Sequence, residues 1–255
     1  MKAIGQKIYY HDRAGSTNDL LKHYALGGEA EGTVVVAKEQ TRGRGRRGRY
    51  WHSQRDMGLY FSFLLKPKID PRQLGWISLY AAIAVAKAIN KMTGMSATLK
   101  WPNDILLVEK KVGGILVEAH TTASKVRDVI VGIGINVLHP PGAFPPKLRS
   151  VSGSLLSCTE KVISKQDLLQ AILFELNVLY CDSKDGDWPQ TILKKWMALC
   201  GHLGSLVSIE NGESFYSGRF VGLNELGHAI IQMENGDRHI VQAGDVSLRK
   251  EALCY

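Results

Sequence analysis

Residues 33 to 65 carry two buried-strand patterns with no helix between them. Thr33-Val34-Val35-Val36-Ala37 is short and β-branched, and Gly58 to Leu65 reads as another strand. Between them lies Arg42-Gly43-Arg44-Gly45-Arg46-Arg47-Gly48-Arg49. Gly43, Gly45 and Gly48 fit G-x-G-x-x-G, but the dinucleotide fingerprint needs a helix straight after its glycines, aimed at a pyrophosphate. Here Arg49-Tyr50-Trp51 follows, poor helix-starting material, and arginines fill the variable positions. A dinucleotide-binding unit is excluded, and the segment is a loop. Its glycines let the backbone come close to a ligand, and its arginines supply planar forks that match carboxylate and phosphate oxygens. Two readings stand: a loop that closes over a compact anion, and a solvated or RNA-touching loop. Trp51 is the tryptophan placed to serve a ligand, because it sits beside this loop.

The charge balance sharpens that choice. Lys+Arg is 32 against 24 for Asp+Glu, a net +8. Five of those cations lie in residues 42–49, and without them the balance is +3, an ordinary surface. The basicity is local, which suits a small anion as readily as a polymer. With 255 residues, 45% hydrophobic and 22% charged, the chain is a globular protein of one large domain, or a large one and a small one. No apolar run approaches the ~20 residues of a membrane helix, and the N-terminus lacks a secretory apolar core. Cys158, Cys181, Cys200 and Cys254 form no Cys-x-x-Cys and read as reduced thiols of a cytoplasmic protein.

Ser16-Thr17-Asn18-Asp19 before Leu20-Leu21, with Gly27-Gly28 beyond, predicts a short capped helix. Asp70-Pro71 predicts the start of a long helix ended by Gly94. Strands are expected at Thr98 to Trp101, Ile105 to Val108, Gly114 to Glu118 and Val129 to Val137, with Pro102-Asn103-Asp104 and Glu109-Lys110-Lys111 as tight connections. His139 to Pro146 is a proline-rich loop. Helices follow from Ser164-x-x-Asp167 to about Tyr180, and from Trp188 to Leu199. After Gly201 the pattern becomes short alternating strands with turns at Asn211-Gly212, Gly227 and Asn235-Gly236. A boundary near 201 therefore separates residues 1–200 from a small β-barrel at 201–255.

Two further constellations carry chemistry. In Lys100-Trp101-Pro102-Asn103-Asp104 and Lys111-Val112-Gly113-Gly114, Asp104 can hold a cation or a ligand polar group, and Lys111 can neutralise a phosphate or carboxylate. The bland reading is a Pro-Asn-Asp turn with a solvated lysine. In Gly132-Ile133-Gly134-Ile135-Asn136, glycines inside an apolar strand mark close approach of a backbone or ligand, and Asn136 ends the strand, where its amide can fix a polar ligand. Tight sheet packing explains these glycines equally well. There is no P-loop, no H-E-x-x-H and no G-x-S-x-G, and the histidines, His52 and His120 among them, show no metal spacing.

Taken together, in order and at this spacing, these pieces resemble the biotin protein ligases. The matching residues are Ser16-Thr17-Asn18, Gln40, Gly43 to Arg49 with Trp51, Lys100 to Asp104, Lys111 with Gly113 to Glu118, and Gly132 to Asn136. The resemblance implies an α+β fold: a mixed β-sheet catalytic domain flanked by helices, then a small SH3-like β-barrel. It implies a ligase in which biotin attacks the α-phosphate of ATP to give biotinyl-5′-AMP. A lysine of a biotin carboxyl carrier protein, that of acetyl-CoA carboxylase or a related carboxylase, then takes the biotinyl group. By the same resemblance Ser16, Thr17, Asn18, Gln40, Arg44, Gly45, Arg46, Lys111, Gly113 and Gly114 bind biotin. Arg46, Trp51, Asn103, Asp104, Lys111 and Asn136 bind the nucleotide, with Trp51 stacking near adenine. Lys111 and Arg46 carry catalysis. Mg²⁺ is expected on the phosphates, with no protein metal cage. Ser16 lies too near the start for the DNA-binding domain that some family members carry, so no DNA partner is expected, and no membrane. A homodimer through a sheet edge is compatible with the layout, though no residue argues for it.

The residue chemistry agrees with this reaction. Adenylation must bring a carboxylate and a triphosphate together against their repulsion, which calls for placed cations and exclusion of water. The nearest rival is a lipoate–protein ligase, which shares the adenylate logic. That family shows a serine- and glycine-rich stretch with a histidine where this chain has Arg44 to Arg49. Octanoyl transfer, also related, needs no ATP. A basic nucleic-acid-binding module is the rival from another class, but it predicts cations spread over a face and interleaved with aromatics.

Overall fold

The computed structural model describes residues 3–122, 125–181, 188–212 and 214–248. Its frame is a seven-stranded mixed sheet. The strands are β1 (Lys7–His11), β2 (Thr33–Ala37), β3 (Gly58–Leu65), β4 (Thr98–Lys100), β5 (Asp104–Leu107), β6 (Lys110–Thr121) and β7 (Val126–Asn136). They lie in the order β1-β2-β3-β7-β6-β5-β4. Only β1 and β2 run parallel; the other neighbours are antiparallel.

Period-2 alternation sorts the sheet into two faces. Val34, Val36, Phe61, Phe63, Val131, Ile133 and Ile135 point into the main core. There they meet α2 (Gly75–Thr93), which packs on α4 (Lys165–Cys181) and α5 (Trp188–Leu199). The opposite face of β2, β3 and β7 offers Val35, Leu64 and Ile130, covered by Leu21 and Ala25 of α1 (Thr17–Leu26). Further along this second face stand Ser62, Gly132, Gly114, Gly134 and Asn136. Register pairs Ser62 with Gly132 and Gly114 with Gly134, so the glycines sit side by side and leave a depression in the sheet. The short helix α3 (Leu155–Thr159) follows the proline-rich loop.

The second sheet is antiparallel, with β8 (Leu206–Asn211), β9 (Ser214–Leu223), β10 (Ala229–Gln232), β11 (Arg238–Val241) and β12 (Asp245–Leu248) in the order β11-β10-β9-β8-β12. The turns at Gly212, Gly227 and Gly236 all have positive φ.

Several elements depart from the sequence expectation. Pro71 opens a separate 3-10 turn, Pro71–Gln73, capped by Asp70, and the long helix begins at Gly75. Its end at Gly94, left-handed at φ 74, is as expected. Glu109-Lys110-Lys111 is not the connection. Val108 and Glu109 alone make the turn, both left-handed, and Lys110 and Lys111 already belong to a twelve-residue β6. Strand β1 and helix α3 were not foreseen. Cys158 and Cys200 are free thiols; Cys254 lies outside the described residues.

Candidate active site

A cavity of about 580 Å³ opens over the glycine depression, between α1, the arginine loop, the β4–β5 turn and β12. Three arms meet in it at Lys111.

The first arm is a buried polar cluster at the start of α1. Ser16 occupies the N-cap position, but its side chain makes no capping hydrogen bond. Gln40 does that work instead: its Oε1 accepts from the backbone N–H of Thr17 at 2.9 Å, and its Nε2 donates to Ser53 Oγ at 2.9 Å. The Ser16 hydroxyl is thereby left facing the cavity. Ser62 lies 2.7 Å from Thr17 Oγ1 and 2.6 Å from Asn18 Oδ1. A Cβ on Gly132 would stand 3.0 Å from Asn18 Cγ, so this glycine lets Asn18 lie down on β7. The Asn18 amide donates to Glu118 at 2.6 Å.

Arg44 closes this arm from above. Its guanidinium donates to both oxygens of Asp19, at 2.6 and 2.7 Å, and to Glu118 at 3.1 Å. The hydrogen bonds from Arg44 hold the Asp19 carboxyl below the usual carboxylate range. The fork is thus already occupied by protein carboxylates, and Arg44 anchors the loop to α1 and β6. Gly45 lines the cavity next to it.

At the junction, the Trp51 indole lies across the Gly114–Gly134 pair, where any side chain on Gly134 would collide with the ring. Lys111 Nζ is 5.5 Å from the ring centroid and 2.6 Å from Asp104 Oδ1. Trp51 therefore sits beside Lys111, on the sheet floor. Gly113 alternates to the other face, against Ile105, and does not line the cavity, although it was grouped with the biotin residues in the sequence.

The second arm holds Asn136, Phe144, Leu148, Val151 and Ser152. Here Lys111 N–H donates to Val151 O at 2.8 Å. The Asn136 amide donates to Gly153 O at 3.0 Å, which ties β7 to the loop before α3. Phe144 stacks on His139, with ring centroids 4.8 Å apart. His139 is fully buried, and burial with His52 nearby pushes its pKa down to about 4.

The third arm faces the second sheet. Arg46 donates to Gly244 O at 3.1 Å, Arg47 lies 3.7 Å from Asp245, and Arg49 pairs with Asp245 at 2.7 Å. Burial lowers the pKa of Arg46. Lys100 and Asp104 complete this arm, and Asn103 braces it by donating to Ile115 O at 2.7 Å.

All the expected site residues except Gly113 thus line one cavity. Sequence reasoning did not single out Ser62, Asp19, Glu118, Phe144 or Asp245 as site residues. Ser62 had a signal, as the one small polar residue in the run Leu59 to Leu65. Asp245 had none, because only the tertiary fold brings it to the arginines. Among the described residues, no helix is long and apolar enough to cross a membrane, and no cluster of three His, Cys, Asp or Glu side chains is placed to hold a metal.

Residues 10–136 match the biotin/lipoate A/B protein ligase family, and residues 202–249 match the biotin protein ligase C terminal domain. The bifunctional ligase/repressor BirA of Bacillus subtilis is 34% identical over 248 residues, 97% of this chain and 75% of that one. The biotin–[acetyl-CoA-carboxylase] ligase of Paracoccus denitrificans is 31% identical over 83% of this chain and 88% of its own. The biotin protein ligase from Aquifex aeolicus, solved with biotin and ATP, superimposes with a TM-score of 0.82 at 33% identity, covering 96% and 99% of the two chains.

Proposed function

The chain belongs to the biotin protein ligases, and from that membership and the three-armed cavity we infer how it activates biotin with ATP and passes it to a carrier lysine. One observation carries the reading: Lys111 stands where the three arms meet, beside Trp51 and paired with Asp104. A carboxylate entering from the first arm and an α-phosphate entering from the second would both reach its ammonium.

The first arm suits the ureido ring. It offers the Ser16 hydroxyl and the Thr17, Asn18 and Gln40 groups, held in place by Ser53, Ser62 and Glu118. A buried polar arm of this kind disfavours an acid without a ureido group, because the Ser16 hydroxyl it keeps toward the cavity would then be left unpaired. The second arm, apolar with Asn136 at its base, suits adenosine. The reaction itself is positioning and electrostatics. The biotin carboxylate attacks the α-phosphorus, the bond to the bridging oxygen breaks, and that electron pair leaves with pyrophosphate. Lys111 and Arg46 lower the cost of bringing the two anions together. The loop anchored by Arg44 and by Asp245 covers the mixed anhydride and keeps water from it.

Mg²⁺ belongs on the triphosphate's own oxygens. The two carboxylates nearest the third arm, Asp104 and Asp245, are already paired with cations, which fits an ion carried in by the nucleotide. The acceptor is the lysine of a biotin carboxyl carrier protein. Residues 1–200 form the catalytic part in this reading, and the barrel at 201–255 serves the loop and the carrier.

The test is pyrophosphate release with ATP, Mg²⁺ and either biotin or lipoate. Biotin-dependent release with formation of biotinyl-5′-AMP is the expected result. Release with lipoate alone would transfer the chain to the sister activity and overturn the first-arm assignment.

A further inference from the structure

A second cavity, of about 330 Å³, adjoins the second arm and has no part in the reading above. It lies between the proline-rich loop, the β5–β6 turn and α3, with Val108, Pro140, Pro141 and Phe144 as apolar walls. Lys110 and Arg149 supply its charge. Both are tethered through backbone carbonyls: Lys110 Nζ donates to Ser150 O at 2.6 Å, and Arg149 Nε donates to Phe144 O at 2.8 Å. These bonds hold the cations at the cavity and leave the terminal guanidinium nitrogens without partners among the described residues. No Asp or Glu lines the cavity, and among the described residues neither cation forms an ion pair. Ser152 adds a hydroxyl that makes no hydrogen bond among the described residues. At the base, Gly153 lets Lys110 and Cys158 meet, since a Cβ there would stand 2.7 Å from Lys110 Cβ and 3.1 Å from Cys158 Sγ. Burial is the main cause raising the Cys158 pKa, so the thiol adds no negative charge.

The lining describes both ends of a ligand. Two cations and no carboxylate fit an oxyanion, and the planar fork of Arg149 matches a carboxylate. Walls of proline, valine and phenylalanine fit a short hydrocarbon. The volume is at the lower end of small-molecule sites, about 300–1,000 Å³, and exceeds what an inorganic ion needs. We propose that this cavity binds a small aliphatic carboxylate, and that its occupancy strengthens the binding of ATP. The coupling runs through the loop, because Phe144 and Ser152 line both cavities. The ends of the loop are tied, by the Asn136 amide to Gly153 O and by Ser154 Oγ, which donates to His139 O at 2.6 Å. Between the ties, residues 140–147 hydrogen-bond only within the loop among the described residues. A carboxylate held by Arg149 and Lys110 orders this stretch from one side and adenosine orders it from the other. Whichever binds first lowers the ordering cost for the second. The cavity stands apart from the ligase reading; the coupling rests on it, through the adenosine arm.

Two readouts test this, with hexanoate as the probe, inorganic phosphate as the bare-ion contrast and chloride to match ionic strength. The first needs no catalysis: the rate at which N-ethylmaleimide modifies Cys158, read by mass on the peptide that carries it. Hexanoate is expected to slow the labelling to a plateau, and phosphate is not. Arg149→Gln should raise the hexanoate concentration for half-protection about tenfold, the scale of a lost hydrogen bond to a charged group. The second readout is pyrophosphate release at saturating biotin. Hexanoate should lower KM for ATP about fivefold, the lower end of measured couplings between sites, and the shift should vanish in Arg149→Gln at the same hexanoate concentration. Unslowed labelling, protection by phosphate equal to that by hexanoate, or protection undiminished in Arg149→Gln would overturn the proposal. Protection with an unchanged KM for ATP would overturn the coupling. Protection in a chain that releases no pyrophosphate with biotin would overturn the ligase reading instead.

Discussion

Gly134→Ala tests whether the glycine depression exists to seat Trp51. An added methyl would stand 2.6 Å from Cε2 and 3.0 Å from Cζ2 of the indole. Carbon pairs rest at about 3.5–4.0 Å, so the ring must retreat by about 1 Å. The sheet blocks one direction, and the remaining one is the cavity, toward Lys111. Overpacking of this kind costs about 1–3 kcal/mol, which corresponds to roughly 5- to 150-fold in affinity for whatever fills the junction. Gly114→Ala is the control across the strand pair. There the nearest ring atom is 3.3 Å away, and a few tenths of an ångström relieve the contact. Biotin and biotinyl-5′-AMP affinities would be measured by calorimetry for both variants, each also in a Trp51→Ala background. The Gly134 effect should exceed the Gly114 effect and should shrink once the indole is gone, the signature of a direct clash. Equal effects, or a Gly134 loss that persists without Trp51, would refute the reasoning.

Three other outcomes follow from the site. Lys111→Ala leaves Asp104 without its 2.6 Å partner and should cut adenylate formation by about 10²–10³-fold while biotin affinity changes far less; equal losses in the two would refute the role. Asp245→Asn removes the carboxylate on which Arg47 and Arg49 converge, and labelled biotinyl-5′-AMP should escape about two- to fivefold faster, the range for a part-exposed ion pair; an unchanged release rate counts against the latch. His139→Phe should leave stability at pH 7 nearly intact, since neither ring nitrogen has a partner among the described residues and the ring stacks on Phe144. The native His139 resists protonation until about pH 4, whereas an unfolded histidine takes its proton near 6.5. Its contribution is complete above the unfolded value and is lost as the pH falls from about 6.5 to 4, so the Phe variant should show a shallower loss in urea titrations over that window.

Much of this architecture was legible in the residues. Strands β2 and β3 and helix α5 stand where β-branching and apolar spacing place them. What stayed hidden depended on distant partners. Strand β1, Lys-Ile-Tyr-Tyr-His, has little pattern of its own and is strand because β2 offers a parallel edge. The β5–β6 turn escaped notice because Val108 and Glu109 take left-handed conformations that sequence rules assign to glycine or asparagine. In the site, the motifs marked the right segments without revealing each side chain's employment. The Arg44 fork suited a ligand anion on chemistry alone, yet the structure gives it Asp19 and Glu118. Gly113 and Gly114 look alike in sequence, but strand alternation sends one to the core and the other to the cavity.

The barrel's part in catalysis cannot be isolated by cutting the chain at Gly201, though the change of pattern there invites it. Trp101, almost wholly buried in the β4–β5 turn of the site, donates its indole N–H to Gly227 O at 3.0 Å. Its ring also reaches Gly244. His202 packs on Phe220 with ring centroids 4.3 Å apart, and Phe220 also faces Trp196 of α5. One hydrophobic cluster runs from Trp76 of α2 to Val207, Ile231 and Val246 of the second sheet. Deleting that sheet would expose these large side chains and unseat the turn carrying Asn103 and Asp104, so lost activity would report lost packing. Asp245 offers the cleaner cut, because its bonds to the arginine loop can be broken while Trp101, Phe220 and Val246 keep their contacts.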